Sequence, residues 1–150
     1  MTTTEIYAHS ITSSIERIIA CLDGLKPEQM NWKPTAQDTN SLYILAVHTM
    51  ANAEQTVLSV LGGENIPRER DEEFLATGES ADWIQERWSA LKPKLEASLA
   101  ILPQEALDKQ YEHPLRGAIS GYQALLITAT HAAEHVGHAE VTRDLLKAQV

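Results

Sequence analysis

Ile11, Ile15, Ile18, Ile19 and Leu22 recur three and four residues apart, so a helix over about residues 4–23 gathers them on one face. Gly24 follows as a stop. A second apolar stretch, "LYILAVHTMANAEQTVLSVL", opens after possible caps at Asp38 to Ser41 and ends at Gly62 and Gly63. The third helix starts at Ser80 or Asp82 and carries Ile84, Trp88, Leu91, Leu95 and Leu102 along one side. Pro93 lies inside it and is expected to kink it, because proline removes a backbone donor and crowds the preceding turn. The last helix begins near Ser120 and runs almost to Val150, with Val136, Leu145 and Leu146 as its apolar contacts.

The three intervening segments are polar, or are broken by Pro27, Pro34 and Pro114. The segment "PRERDEEF" reads as a solvated charge cluster. "YEHPLRGAI" is the nearest approach to a strand and is expected to be a short extended connection. Four long amphipathic helices predict an all-α fold, a four-helix bundle with long connectors, formed by residues 1–150 as a single domain.

Charge narrows the functional classes. Twelve basic against twenty-one acidic residues give a formal net charge of −9, which argues against a nucleic-acid or anionic-membrane partner. A single cysteine, Cys21, excludes an intramolecular disulfide and fits a reducing compartment. No apolar run reaches the ~18 residues of a membrane span. "MTTTEIYAHS" lacks the basic and apolar regions of a signal peptide, so a cytoplasmic location is expected.

The candidate chemistry sits in "THAAEHVGHAEV", residues 130–141, which holds three of the six histidines. At about 100° per residue, His135 lies about 40° and His138 about −20° from His131, so all three share a stripe. His131 and His135 are one turn apart and can grip one ion, as can His135 and His138. His131 and His138 are about 10 Å apart along the axis and cannot. A further ligand must come from elsewhere, and His48, inside the apolar stretch "LAVHTMAN", is the natural supplier. His48, His131 and His135 would make a histidine triad with open positions for water or a small-molecule substrate. A solvated histidine face and a buried, structurally satisfied His48 are the alternatives. "HAAEH" also matches the inverted zinc-protease pattern H-x-x-E-H, with Glu134 as base, but only Glu140 and Asp144 remain downstream as an acidic ligand.

The set "MNWKP…NSLYILAVHTMANAE" and "HAAEHVGHAEVTRDLL" resembles the DinB-like superfamily, the DinB/YfiT-like metalloenzymes: a Trp-x-Pro connector, an apolar helix holding one histidine, and H-x-x-x-H followed by x-Gly-polar in the last helix. His138 stands where a glutamine is common. The resemblance runs through the whole chain. It implies a bundle with a divalent metal on His48, His131 and His135, commonly in a homodimer. Relatives with known activity are thiol-dependent transferases and isomerases that use low-molecular-weight thiols such as bacillithiol or mycothiol. A thiol S-transferase acting on small electrophiles is thus the expected function. A stress-associated metal-binding bundle without catalysis and a metal-dependent hydrolase are the alternatives. Zn²⁺ and Ni²⁺ both suit three imidazoles. His138 is a candidate to orient His135 or a bound water. Glu134, Asn52 and Tyr43 are candidates for supporting the ligands or handling protons. Cys21 reads as a core thiol, His9 as solvent-facing, and Trp32 as a possible pocket wall.

Overall fold

A computed structural model describes residues 1–149. Four long helices share one apolar core: α1 (Thr3–Ala20), α3 (Leu42–Glu54), α5 (Asp82–Ile101) and α6 (Gly121–Ala148). Two single turns interrupt the connectors, α2 (Pro27–Met30) and α4 (Arg70–Glu73). A two-stranded antiparallel hairpin, β1 (Gln110–His113) and β2 (Gly117–Ser120), precedes α6. The protein is therefore mostly helical, with one small sheet. No helix of the described residues is long and apolar enough to cross a membrane.

The helix starts follow their side chains. Thr2 caps α1 and Ser120 caps α6, each in a capping box in which the residue three positions on, Glu5 or Gln123, bonds back to the cap. Ser41 caps α3 by accepting from the Ile44 amide at 3.1 Å. The predicted core face of α1 is buried throughout, as are Ile84, Trp88, Leu91 and Leu95 of α5. Leu145 departs from expectation: its side chain is 46% exposed, and Leu146 takes the inward position.

Three further departures have local causes. The helix carrying His48 changes into a π-helix over Gln55–Leu61 before Gly62, with a bond such as Gly62 N–H to Val57 carbonyl (3.0 Å) spanning five residues. α5 continues through Pro93, and the carbonyl that loses its donor belongs to Ser89, which is exposed and can be met by water. "YEHPLRGAI" is a true hairpin, not merely an extended connection: His113 pairs with Gly117, and Gly117 at φ +69° supplies the left-handed residue its turn requires.

Candidate metal centre

α6 carries His131 and His135 one turn apart, and α3 packs beside it and presents His48. The three Nε2 atoms converge. His48 Nε2 is 3.0 Å from His131 Nε2, and His135 Nε2 is 3.1 Å from the same atom. The three rings meet edge-on, with centroids 4.4–5.2 Å apart. His48 is buried and the other two are half-buried.

Each outer nitrogen shows how the inner one is prepared. His48 Nδ1 lies 2.8 Å from Glu73 Oε1, so the ring N–H donates to the carboxylate and the Nε2 lone pair faces inward. His135 Nδ1 lies 3.2 Å from His138 Nδ1. His131 Nδ1 is buried and has no hydrogen-bond partner among the described residues. Burial, then the neighbouring His135 and His48, push the His131 pKa down to about 3. Burial, then His48 and His138, push His135 down to about 4. Both rings are neutral at pH 7 and offer lone pairs.

This donor set fits a transition-metal ion. Ligand atoms about 2.1 Å from one ion and about 90–110° apart lie about 3.0–3.4 Å from each other, and the two measured separations fall in that range. Three buried imidazole nitrogens brought together without a cation would set lone pair against lone pair, relieved by at most one shared proton. His48, His131 and His135 together meet the requirements of a three-histidine site.

Glu73 is fixed in turn. Arg68 donates through Nε to Oε2 (2.7 Å) and through Nη2 to Oε1 (2.9 Å), and its Nη1 reaches Gln55 Oε1 at 2.7 Å. Both charged side chains are only 7% exposed. Burial alone would raise the Glu73 pKa, but the hydrogen bonds from Arg68 and His48 outweigh it and hold the carboxyl below its usual range. Phe74 packs its ring 4.8 Å from His48, and Arg70 lies over the outer side of Phe74. The solvated charge cluster expected at "PRERDEEF" is thus corrected: its first arginine and last glutamate fold inward as a buried pair. The signal available in sequence was Phe74, the chain's one phenylalanine, ending a charged run; an aromatic ring there must find apolar cover.

The other candidates separate. His138 is exposed but meets His135. Glu134 is exposed on α6. Asn52 follows His48 by one helical turn, and its Oδ1 is buried without a partner among the described residues. Tyr43 is buried against Gly78, where a Cβ would stand 2.2 Å from its ring; its environment is therefore the 76–80 connector. Trp32 packs on the core and is absent from the wall of the cleft beside His135, to which the same connector contributes Pro34. Cys21 is a buried thiol 3.9 Å from Arg143 Nη1, and burial raises its pKa.

A model of the DinB superfamily matches residues 11–139, a span that includes all three converging histidines. The chain belongs to the DinB superfamily. That superfamily includes metal-dependent proteins. Among solved structures, a conserved protein from Enterococcus faecalis superposes with a TM-score of 0.82 at 16% identity, over 99% of each chain, which shows a shared fold. No protein among the curated sequences matches.

The lowered histidine pKa values give a pH prediction for the metal-free protein. The ordinary value of 6.5 applies to the unfolded chain, whereas the folded values are about 3 and 4. Between those limits the unfolded chain binds protons that the folded one refuses. Stability is therefore full above about pH 6.5 and falls as the pH drops below it, by at most about 1.4 kcal/mol per pH unit per proton, and less for partly solvated rings. Buried His113, whose pKa is also lowered, first by burial and then by Arg116 and Arg68, acts in the same direction. Chelator-treated protein should melt progressively lower from pH 7.5 to 5.5, and more steeply than His131→Gln. A flat profile would contradict the assignment of neutral buried rings.

Proposed function

We propose that this DinB-superfamily chain is a metal-dependent enzyme, a four-helix bundle holding Zn²⁺ or Ni²⁺ on His48, His131 and His135, that transfers a low-molecular-weight thiol to small electrophiles. The observation that carries the reading is the convergence of three Nε2 atoms within bonding range of one ion, with one ring locked by a buried carboxylate. A bound divalent cation supplies the positive charge that keeps a thiol in its nucleophilic thiolate form at neutral pH. The chain's own residues do the rest. Burial keeps His131 and His135 neutral, Glu73 fixes the His48 tautomer, His138 holds the outer nitrogen of His135, and Phe74 packs against the His48 ring. A cytoplasmic homodimer is the form we expect.

The test is conjugation of thiols, bacillithiol and mycothiol among them, to a panel of electrophiles such as chlorodinitrobenzene, by wild type and His135→Ala loaded with Zn²⁺ or Ni²⁺. Metal-dependent turnover lost by at least about a hundredfold in the variant supports the transferase. Metal binding without conjugation for any thiol would overturn the transferase and leave the non-catalytic metal module or the hydrolase.

A further inference from the structure

A cleft of about 620 Å³ opens beside the histidines, between α6 and the 34–40 connector, with His135 and His138 in its wall. That volume is in the range of small-molecule sites. Leu45, Val141 and Leu145 give it apolar surface, and Val141 and Leu145 are 59% and 46% exposed, with nothing among the described residues covering them. No lysine or arginine is among the residues lining it. Arg116, which influences His131, belongs to the β1–β2 turn and is not part of this wall. The one formal charge in the lining is Asp38, and its carboxylate makes no ion pair among the described residues. Asp38 is held at the cleft by its backbone: it is the non-glycine residue at positive φ (+59°), and Thr39 Oγ1 closes the loop by donating to the Pro34 carbonyl at 2.7 Å.

Gly137 also borders the cleft. A glycine inside a helix is destabilising relative to alanine and needs a reason. Close packing is not the reason, since a Cβ built there meets no atom within 4 Å. Gly137 lies in the wall of the cleft, one turn before Val141, between His135 and His138. At about 100° per residue Gly137 stands about 120° from His131 and about 160° from His135, so it forms the exposed outer edge of the cleft.

We propose that this cleft is the substrate site and that it takes a small organic cation with an apolar body. Asp38 meets the cationic group, Val141 and Leu145 cover the body, and His135 and His138 in the wall set the reacting end beside the histidines. The proposal rests on the metal-dependent reading for the role of substrate, but not for binding itself. Without metal, an anionic ligand would meet Asp38 with no basic residue in the wall to offset the repulsion; a divalent cation on the histidines would add positive charge beside the cleft, so the preference is read on chelated protein.

The experiment compares 4-phenylbutylamine with 4-phenylbutyrate by calorimetry or ligand-observed NMR, on chelated and on Zn²⁺-loaded protein. On chelated protein the amine should bind at least about tenfold tighter than the carboxylate. Asp38→Asn, which tolerates the same backbone angle, should reduce that ratio to near unity. Val141→Lys should turn the preference toward the carboxylate, and it serves as the second test. Equal or stronger binding of the carboxylate to chelated wild type would overturn the proposal, as would an amine preference unchanged in Asp38→Asn. Amine binding by a protein that takes up no metal would sink the metal-dependent reading and keep the cleft; metal uptake with no amine preference would do the reverse.

Discussion

Zn²⁺ or Ni²⁺ added to the chelated protein should raise its melting temperature by roughly 10 °C, and the rise should vanish in His131→Ala. The size follows from linkage. A ligand of the folded state at about a thousand times its dissociation constant stabilises by about 4 kcal/mol, and each kcal/mol moves the midpoint of a domain of this length by about 2–4 °C. His131 is the decisive position because its Nε2 lies between the other two, 3.0 Å from one and 3.1 Å from the other. Removing it leaves only His48 and His135, one from each helix, where the site had three donors. The measurement is the metal-induced increment, since His131→Ala also opens a small cavity and shifts the metal-free midpoint. An equal increment in wild type and variant would place the ion elsewhere, and no increment in wild type would remove the site.

Glu73→Gln should weaken metal binding by about 10–100-fold, the usual effect of losing the group that orients a ligating histidine. The substitution also strands Arg68, a charge whose side chain is 7% exposed and whose hydrogen bonds run to Glu73 and Gln55. Breaking one side of such a pair costs about 3–5 kcal/mol, so stability and affinity fall together in the single variant. Glu73→Gln combined with Arg68→Met separates them. With the orphaned charge gone, stability recovers, while the His48 N–H still lacks its carboxylate. Competition against a chromophoric chelator should then show affinity still depressed. Recovery of affinity along with stability would reduce Glu73 to a purely structural partner of Arg68.

That pair also marks where sequence reasoning stopped. "PRERDEEF" contains six charged residues in eight, and nothing in its local pattern distinguishes Arg68 and Glu73 from their solvated neighbours. Their burial depends on α4 folding back onto the helix that carries His48, a contact between residues 25 positions apart. The π-helical turn over Gln55–Leu61 was equally hidden, because the side-chain pattern of the segment is that of an ordinary helix end. Gln55, its first residue, is the group that receives Arg68.

The sequence by itself determined the four long helices and the spacing of the histidine pair. Apolar residues at three- and four-residue spacing dictate the helices, Thr2, Ser41 and Ser120 dictate where three of them begin, and helical geometry alone puts His131 and His135 one turn apart on one face. These are local consequences of chain stereochemistry, legible over a few residues. The tertiary structure decided which groups from distant segments meet: His48 with the pair, Glu73 and Arg68 behind His48, and the 34–40 connector opposite Gly137. The reason is physical. Arg68 reaches Gln55 across 13 residues, Glu73 meets His48 across 25 and His48 meets His131 across 83; such contacts are selected by how whole apolar faces pack, which no short stretch of residues encodes.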